Sequence, residues 1–267
     1  MAACLVLQRS QISLQTLMTI SRQLRLASHV CACESDGQVI LLDLRRNKYF
    51  GVGGRHASAL ADAVDGWPAN ASAQREPVAA SDIDSLTRPL LLRGLLTVRP
   101  LDDHAIERRV LAHPLAGLID EATASLDAED AMEDATLGAA RVCRMVRSVA
   151  AAAMWLRWRS LLSIAQAVAA RRTLLEPRTV HAASPDAMRA AVAAYEKLRP
   201  LVFTARDRCL HDSLALVGFL AAEGMFPRWV IGVQTQPFGA HSWVQSGPIV
   251  LNDHPDRVRR FRPILVL

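Results

Sequence analysis

Three residues in the last part of this chain could together perform acyl chemistry. They are Cys209 in Arg208-Cys-Leu-His-Asp-Ser-Leu-Ala-Leu216, His241 in Ala240-His-Ser-Trp-Val244, and Asp253 just beyond. A thiol at a helix start, a histidine opening a strand and a following carboxylate are the parts of a cysteine nucleophile with an oriented base. The unpaired N–H groups and dipole of a helix N-terminus favour a thiolate, and the same N–H groups can hold an oxyanion. The simplest such reaction is amide hydrolysis. A lone cysteine on a helix is ordinarily a small buried hydrophobe, so the histidine carries the reading.

His241 and Trp243 alternate onto one strand face, and Ser242 and Val244 onto the other. A hairpin loop centred on Gly247 pairs 245 with 249, 243 with 251 and 241 with 253. His241 and Asp253 then become cross-strand neighbours, with Cβ atoms about 5 Å apart. At that separation a carboxylate fixes the imidazole tautomer and supports the imidazolium. A slip of one residue would present His254 instead. Each residue also has a plainer reading: Asp253 as a cap before Pro255, His211 as a solvated residue, Trp243 as core or cleft wall. A metal held by Cys209, His241, Asp253 and His254 lacks paired short ligand spacing.

These residues need a scaffold. Thr204 and Asp207 offer a cap for the Cys209 helix, whose stripe Leu210, Leu214, Val217 and Ala221 ends at Gly224. Strands are expected at 228–234, 241–246 and 249–252. Ser184-Pro185-Asp186 opens another helix, and 128–172 reads as one helical run that Gly138 could interrupt. Earlier, His29–Glu34, Gln38–Leu44 and Lys48–Val52 read as three strands, the first two joined by the turn Ser35-Asp36-Gly37. Helices follow at 55–64 and 81–94, with a polar loop over 69–80 between them. The fold class is α+β. A first unit at 28–100 has the size of a binding module, Pro100–Pro114 is a charged connector, and a second unit spans 115–267. Residues 1–27 show no clear period, and Met18 is a candidate translation start.

Composition narrows the classes. The chain has 267 residues, 51% of them hydrophobic, and a formal net charge of +5. That balance suits an acidic peptide partner, but no motif with interleaved aromatics points to nucleic acid. The five cysteines are scattered, and Cys31-Ala-Cys33 is too tight for a zinc knuckle without a second ligand pair. A reducing compartment follows. Met1–Leu7 is a poor signal peptide, and the apolar run Val149–Leu156 is cut by Arg157 and Arg159. The expected localisation is cytoplasmic. Arg157, Arg159, Arg171 and Arg172, and Arg257, Arg259, Arg260 and Arg262, read as solvated helix faces or docks for a partner protein.

The blocks Cys209–Leu216, Gly218–Gly224, Val230–Val233, Ala240–Val244 and Leu251–Asp256, in this order and spacing, resemble lasso-peptide leader peptidases, which are transglutaminase-like cysteine proteases. The resemblance covers roughly 115–267 and implies a papain-like helical and antiparallel-sheet domain with Cys209, His241 and Asp253 as its triad. Where relatives often read His-Ala-Trp-Val-Glu, this chain has His241-Ser-Trp-Val-Gln245, a departure that leaves the triad intact. Val39–Val52 is similar to a winged-helix-like leader-recognition domain of the pyrroloquinoline-quinone chaperone type. By that resemblance a precursor's leader adds as a strand to the three-stranded sheet, against the helix at 81–94. It further implies an ATP-dependent macrolactam synthetase as partner, with no cofactor bound by this chain. Two other classes fit the same residues: a thiol acyltransferase and a non-catalytic leader-binding scaffold.

Overall fold

The structure, a computed structural model, describes residues 24–68, 80–98, 120–126, 137–175, 184–201 and 208–267, without the side chains of 55 and 80–82. The candidate start at Met18, most of the loop at 69–80, the connector Pro100–Pro114 and the proposed cap at Thr204 and Asp207 lie outside the described residues. Two compact units emerge, one from Met1–Asp43 with Lys48–Pro114 and one from Leu44–Asn47 with Leu115–Leu267.

In the first unit, β2 (Val30–Ser35), β3 (Gln38–Asp43) and β4 (Lys48–Gly53) form an antiparallel sheet in the order β2-β3-β4. Ser35 pairs with Gln38, which leaves Asp36 and Gly37 as a two-residue loop, with φ of 51° and 73°. Such a turn needs two positive φ values, which Asp-Gly supplies at little cost. Val39 and Leu41 face a core that Leu60, Trp67, Leu90 and Leu95 complete. Helix α1 (Gly54–Ala61) ends earlier than expected, because Val64 belongs to the short strand β5 (Val64–Asp65). Helix α2 (Ala80–Leu92) closes on Gly94 at φ 71°, with Gly94 N–H to Leu91 O at 2.8 Å and Leu95 N–H to Leu90 O at 2.9 Å. This is the left-handed glycine cap that satisfies the last carbonyls of a helix.

A second small sheet had no counterpart in the sequence reading. Strand β1 (Leu24–Leu26) runs between β5 and β6 (Leu96–Val98), parallel to the first and antiparallel to the second. The stretch 1–27 is therefore not wholly an extension: its last residues are core, with Leu24 and Leu26 buried. Three residues are too few to show a period of two.

The second unit is a helical layer on a five-stranded sheet. Its helices are α3 (Ala139–Trp158), α4 (Leu161–Leu175), α5 (Pro185–Leu198) and α6 (Cys209–Ala222). The expected single run over 128–172 breaks at Arg159, whose backbone is extended at φ −115° and ψ 150°. Ser160 restarts the helix by accepting the Ser163 N–H at 3.3 Å, an N-cap that the alanine-rich composition hid. Ser184 caps α5 through the Ala187 N–H at 3.2 Å, with Pro185 at the first helical position.

Helix α6 is apolar on more than one face: Leu214, Ala215, Leu216, Phe219 and Leu220 are all buried. Its buried surface is wider than the expected stripe, in which Leu210 and Val217 are only half-buried. This is what a helix covered by both a sheet and other helices requires. The sheet runs β11-β8-β9-β10-β7, from β7 (Ala124–Ser125), β8 (Arg228–Thr235), β9 (Phe238–Ser246), β10 (Ile249–Val250) and β11 (Arg262–Val266). The arginines from 257 to 262 do not form one solvated helix face, since Arg262 opens β11 and Arg259 donates to the Ala122 carbonyl at 2.6 Å.

Candidate active site

Cys209 is the first residue of α6. The capping position, Arg208, makes no side-chain bond to the helix, and the first helical bond is Asp212 N–H to Arg208 O at 2.9 Å. The first-turn N–H groups are thus left without a cap from Arg208, and that of Leu210 reaches the thiol. Burial pushes the Cys209 thiol up, but a hydrogen bond to His241, that ring's charge and the N–H groups of Ser242 and Leu210 outweigh it. The thiol sits below its ordinary value.

His241 lies on β9 opposite Gly232. Its ring is only 5% exposed and is flanked by two aromatics, Trp243 stacked at 6.0 Å and Phe261 tilted at 5.1 Å between ring centroids. Gly232 makes room for this wall, because a Cβ there would stand 2.8 Å from Phe261 Cβ and from two Trp243 ring carbons. Trp243 is therefore both core, at 2% exposure, and part of the wall behind the imidazole. Phe261 was not anticipated, since no signal had placed a strand after it.

The Nε2 of His241 is 2.5 Å from Asp253 Oδ2. An ionised carboxylate can only accept, so Nε2 carries the proton and Nδ1 is left to face the thiol. Asp253 Oδ1 accepts the His254 N–H at 2.7 Å, and Arg257 stands 3.7 Å from Oδ2. Burial raises the Asp253 carboxyl, but these donors and the adjacent charges bring it below the usual range. Burial likewise pushes His241 down, and hydrogen bonds to Asp253 and Cys209, with the charges of both, reverse this and raise it to about 9. Both shifts act in the same direction, favouring a thiolate–imidazolium pair over the neutral thiol and imidazole.

The three residues meet, though not by the register expected. Ser246 pairs with Ile249 and Gln245 with Val250, one residue off the predicted alignment. A continued ladder would have set His254 against His241, but β10 stops at Val250 and the chain bends over 251–253. Asn252 then takes the place of the next ladder residue, accepting the Val244 N–H on its Oδ1 at 2.9 Å. The Ser242 N–H has the same parity on β9 and reaches the Cys209 sulfur at the edge β10 has vacated. His254 points elsewhere: two-thirds exposed, its Nδ1 accepts the Asp256 N–H at 3.3 Å and caps α7 (Pro255–Val258). His211 is not simply solvated, since its Nε2 meets the Val149 carbonyl at 3.0 Å.

A buried polar cluster clamps α6 to the sheet. Ser213 Oγ and Ser242 Oγ are 2.7 Å apart, and Trp229 Nε1 donates to Ser242 Oγ at 2.8 Å. Ser242 thus sits behind the reactive centre. Gln245, the second departure from the relatives' motif, donates to the carbonyls of Asp120 at 2.7 Å and Gly247 at 2.8 Å and accepts from Trp243 Nε1 at 3.0 Å. A cavity of about 330 Å³, lined by Trp155, Val217, Phe226 and Arg171 among others, lies along the distal part of α6, and none of the three residues borders it.

Residues 150–266 match the family model of the transglutaminase-like superfamily, so the second unit carries a transglutaminase-like domain that contains Cys209, His241 and Asp253. Over 51 residues the chain is 48% identical to the microcin J25-processing protein McjB of Escherichia coli, a match covering 19% of this chain and 24% of that protein. The aligned stretch spans about a quarter of that relative's length. No solved structure matches the chain. Among the described residues no helix is long and apolar enough to cross a membrane.

Proposed function

We propose that this chain is a cysteine endopeptidase that removes the leader from a ribosomally made lasso-peptide precursor. The observation that carries the reading is His241 held between Cys209 and the Asp253 carboxylate on a helix–sheet frame. The Cys209 thiolate attacks the scissile carbonyl and the new oxyanion faces first-turn N–H groups of α6. The His241 imidazolium gives its proton to the departing amine, leaving a leader thioester and a free core amine. Water, deprotonated by His241, attacks the thioester and releases the leader carboxylate and the thiolate. Asp253 keeps the ring oriented and stabilises its charge throughout.

In this reading the first unit captures the leader. The order β2-β3-β4 leaves β4 at an edge, and its residues are the most exposed of that sheet. An extended peptide can add there, with backbone bonds giving affinity and side-chain pockets giving selectivity. The freed core amine passes to an ATP-using macrolactam synthetase in the cytoplasm, and this chain needs no cofactor of its own. The transglutaminase-like match also suits transfer of the acyl group to an amine. Mass spectrometry of the precursor incubated with wild type or Cys209→Ala, with and without the cyclase, decides among these. Hydrolysis adds water at one junction in the wild type only, whereas transfer adds the acceptor amine. Equal cleavage by both proteins removes Cys209 from the chemistry, and leader binding without cleavage leaves a scaffold.

A further inference from the structure

Asp212 lies one helical turn after Cys209 and is 4% exposed. A carboxylate so far from water is costly unless its oxygens are occupied, and here they are. Oδ1 accepts from Tyr195 Oη at 3.0 Å, while Oδ2 accepts from Asn252 Nδ2 at 3.0 Å and faces an Arg199 guanidinium nitrogen at 3.0 Å. Arg199 is in turn paired with Glu196 at 3.1 Å. The orientation of the Asn252 amide is fixed by its partners. The Val244 N–H can only donate and the Asp212 carboxylate only accept, so the oxygen faces β9 and the nitrogen faces α6.

Asn252 therefore touches both elements that carry the reactive groups, and its neighbour in the chain is Asp253. Backbone pairing does not hold the bend at this point, because the last bond of Leu251 N–H to Val244 O at 2.9 Å precedes it. We infer that Asn252 and Asp212 are the positioning pair of the site, setting where the Asp253 carboxylate meets His241 and how far that ring stands from Cys209. The inference rests on the reading of Cys209, His241 and Asp253 as the reactive centre. Neither residue of the pair touches substrate in this account.

The pair can be tested by reversing it. Asn252→Asp sets two carboxylates against each other, while the double variant Asp212→Asn with Asn252→Asp, both compared in an Arg199→Gln background so that no guanidinium faces the new amide nitrogen, restores one donor, one acceptor and one charge. In full-length protein, Asn252→Asp and Asn252→Ala are expected to lower kcat for precursor cleavage about 100-fold with KM little changed, the scale of a displacement of about 1 Å in a reacting group. Both should also raise the pH at which the Cys209 thiolate forms, read by ultraviolet titration without substrate. The double variant should recover at least about tenfold over Asn252→Asp, a coupling that independent sites do not show. A purely structural role predicts lower melting temperatures with wild-type titration and kcat in the folded protein, and that result overturns the inference. If the single variants do not fold, a soluble and active double variant supports the pairing, and an insoluble or inactive one refutes it. Should the wild type itself show no lowered thiolate pKa, the reading of the reactive centre fails, and not the pair alone.

Discussion

Replacing Asp253 with alanine should return His241 toward the behaviour of a free imidazole. The difference between 6.5 and about 9 for this ring amounts to about 3 kcal/mol in favour of the imidazolium. Asp253 supplies the leading upward contribution, against a burial that acts in the other direction. At pH 7.5 a group with a pKa near 9 is about 97% protonated, and one near 6.5 about 10%. The loss of the proton donor alone is thus about tenfold. Losing the full 3 kcal/mol in the transition state would bring it to a few hundredfold, about tenfold for each 1.36 kcal/mol. The assay is thiolate absorbance against pH, together with the rate of Cys209 alkylation by iodoacetamide. A Cys143→Ser background removes an exposed competing thiol. The variant should form its thiolate at higher pH and alkylate more slowly at neutral pH. Titration and alkylation indistinguishable from the parent would refute the reasoning, because Asp253 would then contribute nothing to the state of the pair.

Further outcomes follow from the same contacts. Since the His241 pKa is raised on folding, its stabilisation is full below about pH 6.5 and is lost as pH rises through about 9. Melting temperature measured across that window should fall, and His241→Gln should flatten the fall. Activity should decline over the same range as the proton donor is lost. Gly232→Ala drives a methyl against the Trp243 ring and the Phe261 Cβ at 2.8 Å, and should cost about 1–3 kcal/mol in denaturant unfolding with a loss of activity. Gln245→Glu loses two donated bonds from a side chain 1% exposed, and should cost about 2–4 kcal/mol. That penalty should shrink as pH falls, because the buried glutamate is destabilised through its charge.

Much of the site was legible in the chain because its chemistry depends on residue types few positions can satisfy. A cysteine at a helix start and a histidine on a strand are local patterns; Cys209 does open α6, whereas His241 lies inside β9, which begins at Phe238 and not at the histidine. The Asp253 contact was anticipated by the wrong route. The hairpin loop holds two residues, not three, and the contact survives because β10 ends early and Asn252 bridges the gap. Nothing in a strand pattern marks where a ladder stops, since that depends on a side chain competing successfully for a backbone N–H. The Asp212, Tyr195 and Arg199 network was equally hidden, being assembled from α5, the turn after it and α6. In the first unit the Asp36-Gly37 turn was readable from two residues, whereas β1 exists only through partners about 40 and 70 residues away along the chain.

The central claim is that Cys209, activated by His241 and Asp253, forms the covalent bond to substrate. Its most direct test is to mix enzyme and precursor, quench in acid within a single turnover, and map the adduct by peptide mass spectrometry. The account predicts a leader thioester on the peptide containing Cys209, present in the wild type, diminished in Asp253→Ala and absent in Cys209→Ala. An adduct on another cysteine, or cleavage that persists in Cys209→Ala, would contradict it.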